Sequence, residues 1–137
     1  MERVLVVEDD KDLRNLVVDI LKDAGYDVTE AVDGGMAVEK ARTERPDVIL
    51  LDVMMPVMDG FEVLTKLRQD PATRATPVVI LSAFPAVIGE LRAWRLGARH
   101  YIRKPFDPEQ VESTVRIALR EFGTSVGDEV SDDDANA

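Results

Sequence analysis

An α/β domain built on a doubly wound, five-stranded parallel sheet is the fold class this sequence predicts, and three observations predict it. Five short apolar runs, at 4–7, 28–31, 48–51, 78–81 and 101–102, alternate with amphipathic stretches. The central runs show no polar alternation, which means both of their faces meet apolar layers, as in a parallel sheet covered by helices on each side. The chain has 137 residues, close to the usual size of one domain, so a single core is expected.

The elements follow in order. The first strand runs straight into Glu8, Asp9 and Asp10, and Leu13, Leu16, Val17, Ile20 and Leu21 then recur at three- and four-residue spacing, the stripe of a helix that faces a sheet. The third strand ends at Asp52. A helix after it is marked by Phe61, Leu64 and Leu67, with Asp59 and Glu62 spaced as an N-cap and its capping box. The fourth strand ends at Ser82 and the fifth runs into Lys104 and Pro105. Asp107 before Pro108 places a capping acid ahead of a first-turn proline, and Val111, Val115, Ala118 and Phe122 form the stripe of the last helix. Gly25, Gly97 and Gly123 each fall just past a helical pattern, where a left-handed C′ residue is favoured. The domain is expected to span 1–122, with 123–137 an acidic, aperiodic and disordered tail.

Composition narrows the function classes. With 45% hydrophobic and 32% charged residues the chain reads as globular, and the absence of cysteine excludes disulfides and thiolate metal sites. The opening apolar run meets acids too soon for a secretory leader or a membrane span, so the cytoplasm is the expected location. The net charge of −10 is concentrated at the end: residues 121–137 hold six acids and no Lys or Arg, while 1–120 carry 21 acids against 17 bases. Neither part offers the basic surface that phosphate-backbone binding requires, and no direct nucleic-acid contact is expected.

In an open parallel sheet, ligands bind beyond the carboxyl ends of the strands. Four segments deliver chemistry there: Glu8, Asp9 and Asp10 after the first strand, Asp52 after the third, Ser82 after the fourth and Lys104 after the fifth. Singly, each has an ordinary structural explanation, and Asp9 or Asp10 is as readily a helix cap. Together they form a site. Carboxylates about 4 Å apart repel by roughly 4 kcal/mol at an effective dielectric near 20, so the cluster calls for a cation. Hard oxygen donors without histidine or cysteine point to Mg²⁺, or to Mn²⁺ in its place. Asp52 is then placed to attack a phosphoryl group in line, with Lys104 and Ser82 binding its oxygens.

These motifs resemble those of the CheY-like receiver domains of two-component response regulators, over about residues 2–122. Glu8 and Asp9 match the family's acidic pair, Asp52 within LLDVMMPVMDG its phosphoacceptor, Ser82-Ala83 its Ser/Thr-Ala step, and Lys104-Pro105-Phe106 its lysine with a typically cis proline. The resemblance implies a flavodoxin-like (βα)5 fold with strand order 2-1-3-4-5. It implies metal ligation by Asp9, Asp52 and the backbone carbonyl of Met54, with Glu8 acting through water. It also implies a switch in which Ser82 moves toward the phosphoryl group and Tyr101 changes rotamer.

Two positions depart from the commonest family forms. Met54 and Phe84 place bulky apolar groups two residues after Asp52 and Ser82, and are expected to exclude water and lengthen the phosphoryl lifetime. Pro85 removes a backbone donor just after the switch loop. His100, the only histidine, has no catalytic partner in the sequence, and Met54, Met55 and Met58 read as packing. Trp94 reads as a partly exposed helix residue, with Arg92 and Arg95 beside it as contributors to a partner surface.

The function these features predict is a stand-alone receiver: a signalling phosphoacceptor that catalyses only its own phosphorylation and dephosphorylation. Its expected partners are a sensor histidine kinase or a histidine phosphotransfer protein. A downstream protein effector is expected on the face formed by the fourth helix, fifth strand and fifth helix. The alternatives are a receiver truncated from a larger multidomain regulator or hybrid kinase, and a phosphorylation-independent binding module. A haloacid-dehalogenase-type phosphatase wants an acid where Met54 stands, and a flavodoxin's phosphate would be repelled by Glu8, Asp9 and Asp10.

Overall fold

The computed structural model describes residues 1–55, 58–83, 94–98 and 100–128, the last seven by their backbone alone. In chain order the elements are β1 (Arg3–Val7), α1 (Lys11–Asp23), β2 (Asp27–Ala31), α2 (Gly34–Glu44), β3 (Val48–Asp52), α3 (Gly60–Gln69), β4 (Val78–Ser82), β5 (His100–Arg103) and a C-terminal helix (Pro108–Asp128). All five strands lie in one parallel sheet of order β2-β1-β3-β4-β5. The strand order and the doubly wound class are those expected.

Because successive strand residues point to opposite faces, each apolar run feeds two cores. Leu5, Val7, Ile49, Leu51, Val78 and Ile80 pack with Ala37 and Ala41 of α2 and with Phe61, Leu64 and Leu67 of α3. The alternate residues Val4, Val6, Val48, Leu50, Val79, Leu81 and Ile102 pack with Val17, Val18 and Leu21 of α1 and with Val111, Val115 and Ala118 of the C-terminal helix. Every residue of β3 and β4 is buried, which explains why these runs lack alternation.

Helix punctuation follows the local chemistry. Asp59 and Glu62 form a reciprocal capping box at α3, and Gly25 and Gly97 take left-handed φ values of 98° and 90°. At the last helix the Gln110 side chain accepts from the Asp107 backbone N–H at 2.8 Å. Gly123 is no terminus: the C-terminal helix continues to Asp128, past the boundary expected at 122. Adding a residue to an existing helix gains one hydrogen bond without a new nucleation cost, and 123–128 contain no proline to stop it. Residues 129–137 lie outside the described residues, as do Pro85 and Arg92.

Gly60 fixes how α3 meets the end of β3. Its N–H donates to the Val53 carbonyl at 3.2 Å, and a Cβ there would stand 2.4 Å from the Val53 Cα and 2.6 Å from the Asp52 carbonyl oxygen. Gly60→Ala is expected to cost about 1–3 kcal/mol through forced displacement of that backbone. At Gly35 a Cβ meets only an Asp33 oxygen at 3.5 Å, so Gly35→Ala is expected to stabilise by up to about 1 kcal/mol through helix propensity. Urea midpoints of the two variants check the contrast.

Candidate phosphoacceptor site

Glu8 extends the β1 ladder by one step, its N–H donating to the Ala31 carbonyl at 3.1 Å. It thereby continues the row of Val4 and Val6, and its side chain is only 1% exposed. Its Oε2 accepts from the Asp10 N–H at 3.1 Å, while Asp10 is itself engaged as the N-cap of α1, accepting from Leu13. Of the two acids that were candidates for that cap, Asp10 takes it. Asp9 is left exposed beside the site.

Asp52 is the last residue of β3 and is 2% exposed. Both of its oxygens are engaged: Oδ1 accepts from the Met54 N–H at 2.8 Å and Oδ2 from Lys104 Nζ at 3.2 Å. The same ammonium reaches Glu8 Oε1 at 3.4 Å. Lys104 is held there from behind, since its own N–H donates to the Ser82 carbonyl at 3.0 Å; the Lys104–Pro105 peptide is cis. Ser82 is fully buried at the end of β4. The expected residues Glu8, Asp9, Asp52, Ser82 and Lys104 thus converge at the carboxyl end of the sheet.

The electrostatics are those of a site that lacks enough positive charge. One ammonium faces three carboxylates, and Glu8 relieves the excess by holding a proton: burial, helped by a hydrogen bond that Glu8 donates to Asp52 and by repulsion from the Asp52 charge, pushes its carboxyl up from 4.5 to about 8. One oxygen from each of Glu8, Asp9 and Asp52 lies within 4.8 Å of the others. A hard divalent cation such as Mg²⁺ fits this all-oxygen set, in which a buried acid is kept neutral for want of a counter-charge.

The remaining expected residues surround the site unequally. Met54 is 54% exposed beside Asp52, and Phe84 lies outside the described residues. Tyr101 sits opposite Ile80 and packs, partly buried, against the layer of α2 and α3. His100 pairs with Glu121 of the C-terminal helix at 2.9 Å, at the end of β5 away from Lys104. Trp94 is 57% exposed, as a surface helix residue should be. Two contributors escaped the sequence reading: Gly60, legible only as part of the MDG motif, and Arg14, whose side chain folds back over the loop that bears Glu8 and Asp9.

The fold and this acidic cluster are those of a receiver-type signalling domain. Residues 4–116 match the response regulator receiver domain, and the chain belongs to that family. It is 41% identical over 120 residues to the DNA-binding dual master transcriptional regulator RpaA of Synechocystis, covering 88% of this chain and 50% of that protein. It is 40% identical to the alkaline phosphatase synthesis transcriptional regulatory protein PhoP of Bacillus subtilis, covering 87% and 49%. The chain therefore spans about half the length of these two relatives. Among solved structures it resembles the chemotaxis protein CheY4 of Vibrio cholerae, with a TM-score of 0.82, 37% identity and coverage of 86% and 98%. A CheY-like receiver domain protein of Methanospirillum hungatei superposes with a TM-score of 0.85 at 25% identity, covering 91% and 98%.

The raised Glu8 carboxyl makes stability pH-dependent with a definite sign. Between its ordinary 4.5 and about 8 the folded protein binds a proton that the unfolded chain has released, so metal-free stability falls as pH rises through this window. A cation that displaces this proton binds better as pH rises. The gain in Tm on adding Mg²⁺ is expected to be larger near pH 9 than near pH 6, and paired thermal melts measure it.

Proposed function

We propose that this receiver domain accepts a phosphoryl group from a phosphohistidine onto Asp52 and converts that event into a change of protein-binding surface. The observation that carries the reading is the buried Asp52 carboxylate, oriented by the Met54 N–H and Lys104 and grouped with Glu8 and Asp9. In the transfer, an Asp52 carboxylate oxygen forms the new P–O bond as the P–N bond to the donor imidazole breaks. Lys104 Nζ, released from its hydrogen bond to Asp52, binds an equatorial phosphoryl oxygen and stabilises its charge. The Ser82 hydroxyl takes another oxygen, coupling the end of β4 to the phosphorylated state. Asp9, Asp52 and the Met54 carbonyl would hold Mg²⁺, with Glu8 acting through water, and the cation would neutralise charge on the transferring group.

Tyr101, adjacent to β4 through its own strand, is assigned the readout, and the effector docks on the face that includes β5 and the C-terminal helix; most of the fourth helix expected beside them lies outside the described residues. Donors are a sensor histidine kinase or a histidine phosphotransfer protein. The expectation of no nucleic-acid contact extends no further than the acidic segment that supports it, since relatives of which the matched region is about half are named as transcriptional regulators. No helix among the described residues is long and apolar enough to cross a membrane.

Incubation with a small phosphodonor and Mg²⁺, read by intact mass, is expected to add one phosphate to the wild type and none to Asp52→Asn. A wild type that gains no phosphate, or one whose gain survives Asp52→Asn, overturns the reading, and the former outcome favours a phosphorylation-independent binder. Met54 and Phe84 are assigned the exclusion of attacking water from the phosphoryl group. Met54→Asn and Phe84→Ala are each expected to lose phosphate several times faster than the parent, measured as decay of the phosphorylated mass.

A further inference from the structure

The loop between β1 and α1 carries two of the three clustered carboxylates, Glu8 buried and Asp9 exposed. What holds it is a side chain one turn into α1. Arg14 Nη1 donates to the Glu8 carbonyl at 2.9 Å and lies 3.4 Å from the Asp9 carbonyl, while Nε donates to Glu30 Oε1 on β2 at 3.0 Å. The Arg14 side chain is only 13% exposed. The β2 end of this link is itself anchored, because Lys40 of α2 donates to the Glu30 carbonyl at 2.5 Å.

We propose that Arg14 is a positioning residue for the cation site: by clamping the Glu8 and Asp9 carbonyls it aims their two carboxylates at Asp52. The inference rests on the cation reading above. Two effects of Arg14 on a bound cation oppose each other. Its charge repels the ion, and its hydrogen bonds orient the ligands. Glu30 pairs with the guanidinium and cancels most of the first effect, which leaves orientation dominant. A planar fork suits the task because one guanidinium serves a carboxylate on one side and carbonyls on the other, whereas a lysine ammonium offers no such fixed geometry. Groups that orient metal ligands without touching the metal commonly contribute about 10- to 100-fold to affinity.

The test is direct Mn²⁺ binding, followed by the paramagnetic signal of the free ion, for wild type, Arg14→Met and Arg14→Lys. Both variants are expected to bind Mn²⁺ about 10- to 100-fold more weakly. Phosphorylation by a small donor is expected to need correspondingly more metal yet to reach the parent rate at saturation, a split that general destabilisation does not produce. If Arg14 acted through charge alone, Arg14→Met would bind more tightly and Arg14→Lys would match wild type; either result overturns the proposal. Should Arg14→Met fail to fold, Arg14→Lys decides it. A wild type that binds no Mn²⁺ overturns the cation reading and this inference with it, whereas a wild type that binds and variants that bind equally overturn only the inference.

Discussion

Repulsion among three carboxylates at one end of a sheet is the constraint on which the rest of this protein depends. Glu8 and Asp52 are almost wholly buried and share a single ammonium from Lys104. Burying like charges without full compensation is costly, and Glu8 answers by keeping a proton to about pH 8. The fold tolerates this arrangement because two apolar layers, one on each face of the sheet, hold the strand ends in place. The site is strained in charge and secure in packing, an arrangement that an added cation would relieve in place of a proton.

The same strand ends connect the site to the surface that would report it. Asp52 is paired in register with Leu81, and Ser82 with Arg103, so the carboxylate, the hydroxyl and Lys104 sit at the ends of three neighbouring strands. Lys104 is attached to Ser82 through the backbone and to Asp52 through its side chain. A group that draws Lys104 off Asp52 therefore pulls on the junction of β4 and β5, and Tyr101 lies three residues upstream on that last strand.

Much of this was legible in the residues themselves. Uninterrupted apolar runs marked β3 and β4 because both faces are covered, and Asp59 with Glu62 announced the start of α3 because a capping box is a local device. Convergence of Glu8, Asp9, Asp52, Ser82 and Lys104 followed from parallel topology, which sends every strand's carboxyl end to one edge. Choices between chemically equal neighbours were not legible. Asp9 and Asp10 are alike in type, and only geometry makes Asp10 the cap. Gly123 had the composition of a helix end, yet the backbone passes through it as helix. Arg14 lies off the apolar stripe of α1, and its link to β2 depends on tertiary proximity that helical spacing does not encode.

The central claim is that Asp52 is the phosphoryl acceptor and Lys104 the group that changes partner when it is occupied. A crystal structure of the domain with Mg²⁺ and beryllofluoride, a phosphoryl mimic, tests both at once. The account predicts the mimic on an Asp52 oxygen, the cation among Asp9 and Asp52, and Lys104 Nζ moved from Asp52 to a fluorine. Lys104 still bridging Glu8 and Asp52, with the mimic absent or bound elsewhere, would contradict it.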